Sequence, residues 1–290
     1  MSTAQDQYYI PDGSPWPVVA VFAILMMTCG TALYVNNVGG GLIIMLAGLL
    51  LIAYLFYGWF RDVIGESMAG RYNEHVDKSF RQGMLWFISS EVFFFGAFFG
   101  SLAYIRLVSG PWLGGEGHLA ASHLLWENFH FAWPMLNIPK PDAYTHAHES
   151  MSAWGIPALN TALLLSSGAT VTWAHWALKK DDRRGLILGL IATVTLGLTF
   201  VGCQAYEYTE AYTDLHLTLH SGVFGSLFYM LTGFHGFHVI MGSIMLLAIL
   251  GRSMKGHFSS KHHFAFEGVA WYWHFVDVVW LGLFIFVYMF

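Results

Sequence analysis

Charge is scarce in this sequence. Of its 290 residues only 11% are Asp, Glu, Lys or Arg, while 56% are hydrophobic and 17% aromatic. Soluble domains carry about 25% charged residues, so a mean hydropathy of +0.52 over a chain this long excludes a soluble globule. The same apolar content, with a net charge of only −5, excludes disorder. Thirteen basic residues against eighteen acidic ones leave no positive face for nucleic acid. The two cysteines, Cys29 and Cys203, stand in separate apolar runs, which excludes a disulfide framework or a Cys-x-x-Cys metal site. No Walker loop, GxSxG, HExxH, dinucleotide-binding glycine pattern or EF-hand is present, so no catalytic and no metal-ligating residue is assigned. What remains is an all-α, polytopic membrane protein.

Seven apolar stretches run roughly over 17–35, 40–60, 82–105, 157–178, 185–206, 221–251 and 266–290. Each is near or above the ~20 residues that a helix needs to cross the hydrocarbon layer. None alternates with period two, as a lipid-facing strand would. Basic residues set an orientation. Eleven of them, from Arg61 and Arg71 to Arg252, Lys255 and Lys261, fall in one set of loops, and only Arg106 and Lys140 fall in the other. The bias places the N-terminus in the cytoplasm and, after seven spans, the C-terminus in the periplasm. Residues 1–16 lack Lys and Arg, so no cleavable signal peptide is expected; Pro11, Pro15 and Pro17 read as an ordered lead-in to the first helix. Residues 106–156, rich in Pro, Gly and His, form a long periplasmic loop. No internal repeat supports an inverted-repeat transporter.

A few polar residues sit inside these apolar runs. Glu91 lies near the middle of span three, where a charge costs about 2.5–3.5 kcal/mol on insertion scales. It reads either as a proton-handling carboxyl or as a structural, protonated acid. Asp277 lies mid-span with His274 three residues earlier, on one helix face. A hydrogen bond between them would lower the cost of both, and a structural clasp to a neighbouring helix is favoured over a proton relay. Glu267, at the start of that span, suits the helix dipole, with pairing to Glu91 as the lesser option. His235 and His238 share a face at i, i+3 spacing, which suits a metal or haem. Gly233, Gly236 and Gly242 beside them mark close helix contact, so packing histidines are the better reading. Trp59, Arg61, Glu66, Arg71, Arg252 and Lys255 gather at cytoplasmic helix ends, where they suit phospholipid head groups or plain anchoring. Asp6, Asp12, His75, Asp77, His257, His262 and His263 form a cytoplasmic set able to collect protons. Glu207 and Glu210 are assigned to the outer loops.

Taken in order, these residues resemble subunit III of the haem–copper cytochrome c oxidases, in the seven-helix aa3-type form. Ser14-Pro15-Trp16-Pro17 resembles the family's entry to helix one, and Trp59-Phe60-Arg61-Asp62-Val63-Ile64 with Glu66-Ser67 the end of helix two. Phe87-Ile88-Ser89-Ser90-Glu91 resembles the helix-three segment with its carbodiimide-reactive glutamate. Leu159-Asn160-Thr161 resembles helix four, and Gln204-Ala205-Tyr206-Glu207-Tyr208 the end of helix five. Thr232-Gly233-Phe234-His235-Gly236-Phe237-His238 and Ala270-Trp271-Tyr272-Trp273-His274-Phe275-Val276-Asp277 resemble helices six and seven. Phe60 stands where many members have a second Trp.

The resemblance implies a core subunit of a respiratory oxidase in the bacterial plasma membrane, without redox cofactors of its own. Haem a, haem a3 and copper would lie in partner subunits, with subunit I as main contact, subunit II in the same complex and cytochrome c as electron donor. It also implies bound phospholipids in a cleft between helices 1–2 (about 17–60) and helices 3–7 (about 82–290) of a single domain, 1–290. Support of proton uptake by subunit I and protection from turnover inactivation follow in the same way. Two other readings compete: a stand-alone proton channel or transporter using Glu91, His274 and Asp277, and a membrane cytochrome with His235 and His238 as axial ligands.

Overall fold

A computed structural model describes residues 8–10, 13–117 and 124–290. Asp6, Pro11 and Asp12 lie outside the described residues. The fold is all-α. Seven long helices follow one another: α1 (Trp16–Val35), α2 (Gly41–Met68), α3 (Glu74–Tyr104), α4 (Ile156–Lys179), α5 (Arg183–Thr213), α6 (Gly222–Met254) and α7 (Phe264–Leu283). Six of them are long and apolar enough to cross a membrane. The helix outside that set is α4, which the sequence marks as a span like the rest. At 24 residues it is about 36 Å long, so length is not the difference. Its apolar residues are interleaved with Asn160, Ser167, Thr170, Thr172 and His175, and Asn160 and Ser167 are fully buried among other helices. The face that carries Asn160 and Ser167 is turned into the protein and has no need of apolar side chains, while Leu159, Leu165 and Trp176 on the other faces are exposed.

Several helices run past their apolar stretch. α2 continues to Met68, α3 begins at Glu74 and α5 reaches Thr213. Beyond Tyr104 the helix continues through a π-helical turn, Ile105–Ser109, and an α-helical turn, Gly110–Leu113. The connection expected from residue 106 therefore starts after Leu113. Local chemistry sets the ends. Pro17 and Pro157 sit in first turns, where a missing N–H costs no bond. Asp182 caps α5 by accepting from the N–H groups of Arg184 and Gly185, each at 3.1 Å. Gly70 and Gly256 leave α2 and α6 at positive φ, where a side chain would be strained.

The contacts group the chain into two compact units, Met1–Gln82 and Gly83–Phe290. In the first, α1 and α2 form an antiparallel hairpin joined by residues 36–40. Gly30, Gly41 and Gly48 lie so close to the backbones of Met45, Tyr34 and Met27 that a Cβ at any of them would overlap. Such backbone contact is how helices associate where lipid removes the hydrophobic drive. In the second unit Trp273 and Trp280 are almost fully enclosed with Phe200, Phe228 and Phe266. The indole N–H of Trp273 donates to Ser167 Oγ at 2.8 Å, and that of Trp280 to Thr161 Oγ1 at 2.9 Å. Gly197 and Gly242 leave room for the Trp273 ring, which a Cβ at either would approach to 2.8 Å. Large apolar side chains such as Phe22, Trp86 and Phe93 point outward, as a lipid-facing surface requires.

Candidate functional site: an intramembrane acid–histidine pair

Glu91 on α3 meets His238 on α6. His238 Nε2 lies 3.1 Å from Glu91 Oε2, and the two side chains are 10% and 21% exposed. The protonation of the pair follows from the second ring nitrogen. His238 Nδ1 lies 2.6 Å from the Phe234 carbonyl. A carbonyl only accepts, so Nδ1 carries a hydrogen. The bond to Glu91 then needs one further proton, either on the carboxyl, donating to Nε2, or on Nε2, donating to the carboxylate. Both forms have zero net charge, which lowers the cost of an acid at this depth. Aromatic rings surround the imidazole. Phe95 lies 5.1 Å away edge-on and Tyr272 6.3 Å away in a stacked orientation, and Tyr272 Oη donates to the His238 carbonyl at 3.3 Å.

Glu91 is therefore not a lone acid: its carboxyl meets His238. Glu267 stands in the first turn of α7. The two histidines of α6 part company despite their spacing. His235 is enclosed at 1% exposure between Phe200 and Trp280, with Nε2 3.2 Å from the Val276 carbonyl. Both nitrogens of His238 are engaged, so the two rings do not present a pair of free nitrogens to one metal. Among the described residues no group of three or more His, Cys, Asp or Glu is placed to hold a metal ion. Nor do all three glycines mark close contact. A Cβ at Gly236 would meet nothing within 4 Å and one at Gly233 only Tyr208 Oη at 3.6 Å, whereas Gly242 does receive the Trp273 ring.

A second acid–histidine pair lies between α4 and α7. Thr172 Oγ1 donates to the Gly168 carbonyl at 2.9 Å and lies 3.2 Å from His274 Nε2. The single Thr172 hydrogen is thus used, and His274 Nε2–H donates to Thr172 Oγ1. His274 Nδ1 is 3.6 Å from Asp277 Oδ2. That separation is longer than a hydrogen bond, and the contact His274 makes to the neighbouring helix is the one to Thr172. Asp277 sits instead against Gly168, where a Cβ would overlap its Oδ2. Gly168 lets the carboxyl into the α4–α7 seam.

The residues assigned to lipid fall into two sets, one in each unit. In the first unit Trp59 is 51% exposed and Arg61 is also exposed. Glu66 is taken up within the protein: Tyr72 Oη donates to its Oε2 at 2.7 Å and Tyr9 Oη to its Oε1 at 3.1 Å. Arg71 Nη1 donates to Tyr9 Oη at 3.1 Å. Burial first, then the bond to Glu66 and its charge, push the Tyr72 hydroxyl well above its ordinary value. In the second unit the Arg252 guanidinium lies 4.5 Å over the Phe258 ring, with its Nε buried and without a hydrogen-bond partner among the described residues. Lys255 follows the last turn of α6. Of the proposed proton-collecting set, Asp77 pairs with Arg81 one turn along α3. His263 Nδ1 donates to the Ser259 carbonyl at 3.1 Å. His257 is held below its ordinary value by desolvation first, then by the charges of Arg252 and Lys255.

One buried acid escaped the sequence reading. Glu207, assigned there to an outer loop, lies within α5 at 0% exposure and accepts from Tyr288 Oη at 2.5 Å. Its only sequence signal is Gln204, one helical turn earlier and 5% exposed. Tyr288 belongs to the π-helical turn Phe284–Met289 that follows α7.

The comparisons with known proteins agree with one another. The family model for cytochrome c oxidase subunit III matches residues 6–118 and 122–290. The cytochrome c oxidase subunit 3 proteins of Cyprinus carpio and Latimeria chalumnae are each 42% identical over 282 residues, covering 97% of this chain and 96% of theirs. That of Prototheca wickerhamii is 40% identical over the same shares.

Proposed function

Because the chain belongs to the cytochrome c oxidase subunit III family, we propose that it serves an aa3-type respiratory oxidase as a core subunit without a redox centre of its own. In this reading it sits in the bacterial plasma membrane, N-terminus in the cytoplasm, against subunit I and in one complex with subunit II. Those partners hold haem a, haem a3 and copper, reduce oxygen with electrons from cytochrome c and pump protons. This chain binds phospholipid, supports proton uptake into subunit I and prolongs the enzyme's working life.

The observation that carries this reading is the Glu91–His238 pair. It holds one proton at net zero charge, uses both imidazole nitrogens, and leaves no open position for a metal. Such a pair suits proton chemistry and packing, and suits redox chemistry poorly. Exposed Trp59 and Arg61 support the lipid role in the first unit, and Arg252, with its buried unpartnered Nε, supports it in the second. Glu66 and Arg71 would meet a head group only through their shared Tyr9 cluster.

The test is depletion. Stripping this chain from the purified complex should leave the haem a spectrum and the initial turnover in place, but shorten the time to inactivation. Adding the chain back with phospholipid should restore it. Unchanged inactivation kinetics after complete removal would overturn the protective role, and loss of haem with the chain would overturn the absence of a redox centre.

A further inference from the structure

Five side-chain atoms at one end of the second unit are buried and have no hydrogen-bond partner among the described residues. They are both polar atoms of the Asn160 amide on α4, both of the Gln204 amide on α5, and Oε2 of Glu207, one turn further along α5. Asn160 and Glu207 are 0% exposed and Gln204 is 5% exposed. Neither lipid nor another chain reaches atoms enclosed to that degree, so what satisfies them lies inside this bundle. Buried polar groups are hydrogen-bonded to protein or to ordered water.

The three residues share one level of the α4–α5 seam. Thr170 Oγ1 lies 2.8 Å from Thr193 Oγ1, and a Cβ at Gly189 would lie 3.1 Å from Ala174 Cα, which sets the two helices antiparallel. Trp273 carries the register onward: its N–H donates to Ser167 while its ring closes on Gly197. Trp280 carries it further, with its N–H on Thr161 and its ring 4.8 Å from that of Phe200. Next along the seam come Asn160, beside Thr161, and Gln204, one turn past Phe200. The Tyr288 ring lies 5.9 Å from that of Trp280, and its hydroxyl donates to Glu207 Oε1 at 2.5 Å.

Enclosed polar groups that share a level without bonding one another directly are the kind that an ordered water bridges. The donor set favours water over a metal ion. A hard cation takes oxygen alone and would leave two amide NH2 groups unpaired, whereas water both donates and accepts. The charge agrees. Glu207 Oε1 accepts from Tyr288, and Oε2 meets no donor among the described residues. An enclosed carboxylate without a counter-charge is costly, so Oε2 carries a proton and donates it.

We propose that Asn160, Gln204 and protonated Glu207 form an internal water site, closed by Tyr288, that joins the α4–α5 seam to the π-helical turn Phe284–Met289. The inference goes beyond the subunit reading and stands whichever partners this chain has.

The experiment uses the purified complex. The infrared difference spectrum of wild type minus Glu207→Gln should contain a carboxylic-acid C=O band at neutral pH that shifts in heavy water and is lost in the variant. Carboxylate bands in its place would overturn the proposal. The second measurement needs no variant: a cryo-electron microscopy map of the wild-type complex, at a resolution that shows ordered water. Density within hydrogen-bond reach of Asn160, Gln204 and Glu207 is the expected result. Direct amide–amide or amide–carboxyl bonds with no density between them, or density held at metal distances by oxygens alone, would each overturn the site.

Discussion

Removing the Glu91–His238 pair whole should cost less than the two single cuts added together. Glu91→Leu leaves His238 Nε2 without its partner, and His238→Leu leaves the carboxyl without its own. The pair is one hydrogen bond of 3.1 Å between side chains that are 10% and 21% exposed. Stranding a buried polar group costs about 1–3 kcal/mol. Double-mutant cycles inside membranes average about 0.6 kcal/mol and reach about 1.7. Because this bond shares a proton between an acid and a base, and because Phe95 and Tyr272 flank the ring, the coupling belongs in the upper part of that range, about 1–2 kcal/mol. The assay is thermal unfolding of the detergent-solubilised complex for the wild type, the two single variants and Glu91→Leu/His238→Leu. The double variant should be more stable than the sum of the single losses predicts. Additivity within about 0.3 kcal/mol would refute the pairing. Glu91→Gln keeps a hydrogen-bonding amide opposite Nε2, and should preserve assembly and turnover while abolishing carbodiimide labelling at this position.

Other expectations follow from single contacts. Tyr288→Phe removes the hydroxyl that Glu207 accepts from at 2.5 Å, and should lower stability by about 1–3 kcal/mol in the same unfolding assay; an unchanged melt would mean that the bond contributes nothing. Gly242→Leu drives a side chain into the enclosed Trp273 ring and should cost at least about 1–3 kcal/mol or block assembly, read as yield of intact complex. Arg252→Ala should reduce co-purified phospholipid, measured by extraction and mass spectrometry, and shorten the enzyme's working life. His257 has a folded-state value below its ordinary one. The unfolded chain therefore binds its proton first as pH falls, and the stability tied to this group is full above about pH 6.5 and lost below it. His257→Gln should flatten that part of the pH–stability curve.

The seven helices were legible because lipid demands long apolar runs, and runs of that length are rare for any other reason. Their ends were read short because hydropathy marks the lipid-facing stretch and not the helix. The first turns of α3 are polar, held by contacts such as Asp77 with Arg81 and Ser79 Oγ with the His75 carbonyl, and they precede the apolar run. α4 carries the opposite lesson, since its polar residues are affordable only inside the bundle. Glu91 stood out by itself, but its partner lies 147 residues away, and nothing local in Gly233-Phe234-His235-Gly236-Phe237-His238 separates the histidine that packs from the one that pairs. Helix spacing put His235 and His238 on one face; a rotation of some 60° about the axis between them is enough to send one into the core and the other to α3. Glu207 was misplaced because it lies at the end of an apolar run, where loop and helix look alike until Tyr288 is brought against it.

The most direct test of the central claim is a pull-down through a tag on this chain from native membranes in mild detergent, with the reduced-minus-oxidised visible spectrum recorded before and after the chain is stripped from its partners. The account predicts a haem a signal that arrives with the chain and stays with the partners. Haem that leaves with this chain, or no haem in either fraction, would contradict it.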